Sequence, residues 1–352
     1  MENSHDQLSF ADQERSSRRQ GSSRATVRLR AITEFVNWTA LEALLPGKDK
    51  RSEETRRLGG RPRFPERIMI RIIMLQYLYD LSDEQLEEQL IDRSSFQDFA
   101  LLGTQHAIPD FTTIWRFKEM LSEQGTLAKI FSQLQQDLEA RGLVLKHGTI
   151  VDATVIPTTF HDPMKKEERA ALLHTEAETG RTHRYRDSQA RSTRKIDSKG
   201  RPRFFFGYKG HIAVDVGSKL IRRVILTSAN RADIDFYSAL LMGDEQRIYG
   251  DKGYQKAAYR REAKEAGVIY NVMRKGNKHH PLSEADTAFN RTIAPQRSQV
   301  EHVFGYMKSK LSLARTRARG LLRNQIRLEM NAILYNMERS IYLIKAQKLS
   351  KA

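Results

Sequence analysis

Three carboxylates and two cations stand where metal-assisted phosphoryl chemistry could be done. Asp152 interrupts the β-branched run Thr149 to Thr158 (TIVDATVIPT). A carboxylate in such a strand is costly to bury, so hydrogen bonds or a cation must satisfy it; capping nearby backbone at a strand end would serve equally. Asp251 lies in Tyr249-Gly250-Asp251-Lys252-Gly253-Tyr254. The glycines there let the chain turn sharply and keep the carboxylate accessible, though the same pattern also makes an ordinary Asp-x-Gly turn. Arg297, Glu301 and Lys308 follow one another at intervals of 4 and 7 residues, three helical turns in all, so their side chains share one face. A solvated Arg–Glu pair has the same spacing, but the adjoining apolar stripe of Val300, Val303, Phe304 and Met307 packs that helix on a core and leaves the charged row at its margin. His302 points about 100° away from Glu301 and is not assigned. Hard oxygen ligands from three such acids could share two divalent ions, which suits in-line displacement at phosphorus. Arg297 and Lys308 are then placed to bind phosphates, by paired hydrogen bonds and as a point charge respectively.

The elements that must position these groups are legible in outline. Thr149 to Thr158 reads as a strand. Phe204 to Val216 and Lys219 to Thr227 form a hairpin about Gly217 and Ser218. Ala232 to Met242 is helical, Arg247 to Gly250 a short strand ending at Asp251, Gln255 to Ala266 a helix, and Val268 to Met273 a last strand. Helices over Pro295 to Ser312 and Arg319 to Lys345 complete the chain. This order puts the three acids on a first strand, just beyond a fourth, and on the helix after the last. Between the first two strands, residues 161–203 carry 12 Lys plus Arg and 7 Asp plus Glu and read as a long polar surface insertion. On the second strand, the alternation puts Lys209 and His211 on one face, either against DNA or on a half-exposed sheet.

Upstream the pattern is helical. Residues 1–30, rich in Ser, Gln and Arg, read as a disordered basic tail. Ile68, Ile72, Leu75 and Tyr79 recur at helical spacing, and Ser82 with Gln85 makes a capping box. Pro109 and Asp110 open a further helix, with Phe111, Ile114, Phe117 and Leu121 as its buried stripe and Thr112, Thr113 and Arg116 facing out. Such a bundle is helix-turn-helix-like, and that outward face either reads DNA in the major groove or serves a helical contact between copies. The expected domains are therefore a helical DNA-binding one at 31–146, a mixed α/β catalytic one at 147–315, and a basic C-terminal helix at 316–352 packing on the core.

Charge supports a polyanionic partner. The 352 residues carry 60 Lys plus Arg against 43 Asp plus Glu, a net charge of +17. From Lys252 onward, 21 cations face 7 acids, so most of the excess lies in the last third. Within it, Arg315, Arg317, Arg319, Arg323 and Arg327 read as a strip for a phosphate backbone. The absence of cysteine excludes disulfide scaffolds, thiolate zinc sites and Fe–S clusters. No apolar stretch reaches the roughly 18 residues of a membrane span, and Met1 to Arg30 has no hydrophobic signal core. A soluble intracellular protein without membrane partners is expected.

The segments TIVDAT, FFGYKGHIAVD, YGDKGY and above all RSQVEHVFGYMK, taken in order, resemble the DDE transposases of bacterial insertion sequences, specifically the insertion-sequence-five group. GRPRFPERIMIRIIMLQYLYDLSDEQLEEQL is similar to that group's N-terminal domain, so the likeness spans roughly Gly60 to Arg339. The resemblance implies a ribonuclease-H-like mixed sheet flanked by helices. In it Asp152, Asp251 and Glu301 bind two Mg2+ ions, for which Mn2+ substitutes, cut transposon ends and join a 3′-hydroxyl to target DNA. It further implies double-stranded DNA partners (terminal inverted repeats and target), a homodimer or larger synaptic assembly, and a cytoplasmic, nucleoid-associated place in a bacterium. The glutamate helix keeps the family's Arg297, Glu301 and Lys308, but Ala294 stands where its tyrosine would be, which puts that residue's DNA contacts in doubt. Only 49 residues separate Asp251 from Glu301, too few for a large β-rich insertion domain, so a hairpin intermediate is not assumed. A stand-alone nuclease of the same fold and a non-catalytic DNA-binding regulator are the rival readings.

Overall fold

The computed structural model describes residues 23–45, 63–103, 107–159, 187–196, 200–277 and 279–351. It divides into two compact units, Met1–Leu134 with Met337–Ala352, and Gln135–Asn336. Most of the expected tail (1–22) and most of the expected insertion (160–186) lie outside the described residues.

The first unit is helical. Helix α1 (Arg24–Phe35) starts where the Ser23 side chain accepts from Thr26 N, and it buries Leu29 and Ile32. The stretch expected to be tail therefore gives way to an ordered helix at Arg24, because Leu29 and Ile32 supply an apolar stripe too sparse to stand out in the sequence. Arg28 on this helix pairs with both oxygens of Glu338 at 2.5 and 3.0 Å. Helix α2 (Trp38–Glu42) is one short turn. Helix α3 (Glu66–Leu78) is buried from Ile68 to Leu78, as befits a helix apolar on all sides. Its one buried cation, Arg71, lies over the Trp38 ring at 3.4 Å and donates to Phe99 O; burial brings its pKa down to about 10, still protonated at neutral pH.

Helix α4 (Asp83–Asp92) begins at the Ser82–Gln85 capping box expected from sequence. Helix α5 (Ser94–Ala100) ends at Leu101 in the left-handed region. Helix α6 (Phe111–Glu123) is capped by Asp110 and buries Ile114, Phe117 and Leu121. Phe111 does not join that stripe: it opens the helix, its amide N–H bound by Glu87, and stays 48% exposed. Helix α7 (Thr126–Ala140) follows.

The second unit is built on strand β1 (Thr149–Pro157). With β2 (Arg191–Ile196), β3 (Pro202–Asp215), β4 (Ile221–Ser228), β5 (Arg247–Gly250) and β6 (Ile269–Val272) it forms one mixed sheet in the order β2-β3-β1-β5-β6, with β4 also paired to β3. The hairpin side is antiparallel, while β5 and β6 run parallel to β1. The expected mixed sheet is thus present. Strand β2 falls within the stretch expected to be loop; all its residues but Thr193 are exposed, so it shows none of the apolar alternation that marks a strand.

Helices cover both faces of this sheet. On one, Tyr237 and Leu240 of helix α8 (Tyr237–Leu240) and Tyr254 pack on Val151, Ala213, Ile248 and Val272, with Tyr259 of helix α9 (Ala257–Glu265) beside them. On the other lie helix α10 (Glu284–Arg297), helix α11 (Gln299–Lys310) and the part of helix α12 (Leu321–Lys351) up to Asn336. The single helix expected over Pro295 to Ser312 is thus two, meeting at Ser298, and Pro295 sits inside α10 rather than opening a helix. Leu328, Ala332, Leu334 and Tyr335 of α12 are buried as expected.

Two glycines of FFGYKG explain why this segment cannot vary freely. A Cβ on Gly210 would press within 3.2 Å of Leu328, and one on Gly207 would lie 2.4 Å from Ile156 O, where β3 pairs with the end of β1. Gly207→Ala is expected to destabilise the chain by about 1–3 kcal/mol, read as a lowered urea midpoint; an unchanged midpoint would show that β1 and β3 can separate without cost.

Candidate active site

β1 and β5 run side by side and their pairing ends at Val151 and Gly250. Asp152, in the middle of β1 and still paired to Ile212 of β3, and Asp251, just past the end of β5, therefore stand side by side where the parallel pairing of the two strands stops, at the carboxyl end of β5, where open α/β sheets place ligands. Asp152 is held by its surroundings in an unfavourable way. One oxygen accepts from Ala153 N at 2.8 Å and the other lies 3.8 Å from Arg297. Burial nonetheless pushes its pKa up to about 6; the Ala153 N–H and Arg297 oppose the rise, and the charges of Asp251 and Asp233 add to it.

Asp251 caps the single 3-10 turn Lys252–Tyr254 by accepting from Gly253 N. Its turn-forming role and its place beside Asp152 are both realised. Tyr254 from the same motif is 1% exposed, and its hydroxyl has no hydrogen-bond partner. Burial raises its pKa first, and the charges of Asp152, Asp233 and Asp251 add to the rise.

The charged row is realised across the α10–α11 junction. Arg297, the last residue of α10, pairs with Glu301 in the first turn of α11 while standing beside Asp152. Lys308 donates from Nζ to Thr154 Oγ1 at 2.6 Å. Thr154 follows Asp152 by two residues and so shares its face. Burial lowers the Lys308 pKa, and Lys195 adds to the effect. Glu301 itself keeps 60% of its side chain exposed and reaches Asp152 only through Arg297. Among the described residues no three His, Asp or Glu side chains are gathered closely enough to hold a metal ion.

The donor set still suits a divalent cation. Asp152 and Asp251 are hard oxygen donors, and at Asp152 the carboxylate is opposed by burial and two like charges. A guanidinium, planar and permanently charged, stands between Asp152 and Glu301 as the compensating cation.

Asp233, on the 3-10 turn Asp233–Phe236, is the acid that sequence reasoning missed. One of its oxygens lies 2.8 Å from Lys209 Nζ and 3.9 Å from His211 Nδ1. The nearest signal was the outward pairing of Lys209 and His211, which pointed to DNA or solvent. Both are instead buried: Lys209 also donates to Arg231 O, and His211 bonds Thr227 and stacks on Phe236. Burial takes the His211 pKa down to about 4, leaving the ring neutral at physiological pH.

The remaining expected DNA contacts are spread over both units. On α6, Thr112 and Thr113 are half-buried, Arg116 is exposed, and Trp115 beside it is 42% exposed. Arg315 and Arg317 are exposed on an extended segment rather than a helix, with Thr316 bridging to Thr158 just beyond β1; Arg319 is half-buried.

Family models agree with this architecture. A "Transposase DDE domain" model matches residues 145–337, more than half of the chain, and a "Transposase domain (DUF772)" model matches residues 14–120. Among solved structures the chain is similar to the piggyBac transposase, described by cryo-electron microscopy as a synaptic complex with hairpin DNA. The two share 11% identity and a TM-score of 0.39, over 90% of this chain and 75% of that one. With one family model over residues 145–337 and a second over 14–120, the chain belongs to the DDE transposases of insertion-sequence type.

Proposed function

We propose that this metal-dependent DNA transposase, of the insertion-sequence-five group, uses Asp152, Asp251 and Glu301 to hold two Mg2+ ions, with Mn2+ able to substitute. It cuts one strand at each transposon end and joins the freed 3′-hydroxyl to target DNA. The observation that carries this reading is the pair Asp152 and Asp251 where the parallel pairing of β1 and β5 stops, with Arg297 standing between Asp152 and Glu301. Bound metal would supply an activated nucleophile and neutralise charge at the phosphoryl group. The chain's own groups do the rest. Arg297, once released from the carboxylates, can clamp a phosphate bidentately; Lys308, anchored on Thr154, fixes a positive charge on the same face. Thr112, Thr113 and Arg116 are proposed to read the terminal repeat, and Arg315, Arg317 and Arg319 to follow the backbone. Cutting and joining two ends together calls for a homodimer or larger synaptic assembly. DNA is the substrate, and no helix among the described residues is long and apolar enough to cross a membrane; we place the protein in the cytoplasm, on the nucleoid.

Incubating the protein with Mg2+, paired transposon-end duplexes and a target plasmid tests this. Joined products are expected. Cleaved ends without joining would make it a nuclease of the same fold, and retarded mobility with neither product would make it a DNA-binding regulator.

A further inference from the structure

Strand β3 is longer than its neighbours need. Its pairing with β1 stops at Gly207 and with β4 at Tyr208, so Pro202 to Phe206 pair only with β2 among the described residues. A two-stranded antiparallel ribbon therefore projects from the sheet. Such a ribbon is marginal by itself in water, and this one is chemically odd. Its two described strands carry Arg191, Arg194, Lys195 and Arg203 and no acid. Lys195 stands directly opposite Arg203 in the register, so two cations share one face of the ribbon. On the other face Arg194 is opposite Phe204, which is 73% exposed, and the neighbouring Ile196 is 64% exposed. Arg191 is spent on Ser188 O and Ala190 O, whereas Arg194 and Lys195 are exposed.

We propose that this ribbon, Arg191–Ile196 with Pro202–Gly207, is a DNA-gripping arm that lies in a groove of the duplex beside the scissile phosphate, with Lys195 and Arg203 on the backbone and Arg194, Ile196 and Phe204 against the groove. The inference rests on DNA being the substrate. Charge complementarity selects the occupant: two described strands with four cations and no acid fit a polyanion, and the major groove of B-form DNA is wide enough to admit a two-stranded ribbon. Its position selects the place. The arm grows from the strand next to β1, and Lys195 is near enough to the active-site Lys308 to lower that residue's pKa. A cationic edge strand can also exist only to prevent edge-to-edge pairing, and that reading leaves DNA affinity indifferent to these side chains.

The test is fluorescence anisotropy with a labelled transposon-end duplex over a series of salt concentrations, comparing the full chain with Arg194→Gln/Lys195→Gln and with Phe204→Ser. Each lost phosphate contact removes about 0.9 from the slope of log affinity against log salt. The double variant, which removes one backbone cation (Lys195) and one groove cation (Arg194), is therefore expected to lose about 0.9 from that slope and to bind roughly tenfold more weakly near 0.15 M salt. Phe204→Ser is expected to weaken binding with the slope kept. Because these side chains are exposed, unchanged far-UV dichroism should accompany both. Binding by the wild-type chain with identical affinity and slope in both variants would overturn the arm alone; failure of the wild-type chain to bind any duplex would overturn the arm and the transposase reading together.

Discussion

Asp152→Asn is expected to cost the protein its DNA cleavage, by about a thousandfold or more, while making the metal-free fold more stable at neutral pH. The two effects have one cause. Asp152 is half-buried beside Asp251 and Asp233, with a single distant guanidinium and one backbone N–H in compensation. Its folded pKa of about 6 lies above the ordinary aspartate value near 3.8, so the folded state binds the proton more readily than the unfolded one. The neutral carboxyl's contribution is fully present below about pH 4 and is lost as pH rises through 6. A shift of this size corresponds to up to about 3 kcal/mol. In EDTA at pH 7.5, Asp152→Asn should therefore melt several degrees above the wild type, and the gap should close as pH falls through 6 toward 4. Saturating Mg2+ should raise the wild-type melting temperature by mass action and leave the variant's unmoved. A variant no more stable than the wild type in EDTA would mean that the carboxylate's neighbours already satisfy it.

Glu301→Gln is expected to abolish cleavage with almost no change in stability or DNA affinity. Glu301 is mostly exposed and pairs with Arg297 four residues earlier on the helical row. Exposed pairs of this kind contribute at most about 1 kcal/mol, and Gln preserves size. The loss of turnover thus cannot be assigned to unfolding, which a melting curve and a gel-shift titration would verify. Cleavage at the normal rate would remove Glu301 from the site. The contrast with Asp152→Asn separates a half-buried charge that the fold tolerates at a cost from an exposed one it hardly registers.

Much of this was legible in the chain. Strand β5 ends on Gly250, because the β-forming pair Ile248 and Tyr249 runs into a glycine-flanked aspartate. The Arg297, Glu301 and Lys308 row was legible because helical spacing alone sets a common face, and Arg297 and Lys308 do reach the β1 face at Asp152 and Thr154. What escaped notice has physical reasons. Helix α10 buries only Ile293, so it has no apolar stripe, and its internal proline imitates a helix start. Ribbon strand β2 has no inward face. Asp233, Lys209 and His211 form their cluster through tertiary approach of a turn to a sheet, which local alternation cannot foresee. The gathering of Glu301 with the two aspartates was also read from topology, whereas Glu301 here is turned to Arg297.

The central claim is that the Asp152 carboxylate is a ligand to the metal that activates cleavage. A chain without cysteine permits a direct measurement: Asp152→Cys assayed for cleavage of transposon-end DNA in Mg2+ and in Mn2+ or Cd2+. A thiolate is a poor ligand for hard Mg2+ and a good one for softer ions, so the account predicts an inactive variant in Mg2+ whose cleavage returns with the softer metals, while Asp152→Asn stays inactive in all of them. Equal inactivity of the cysteine variant in every metal, or undiminished activity in Mg2+, would contradict it.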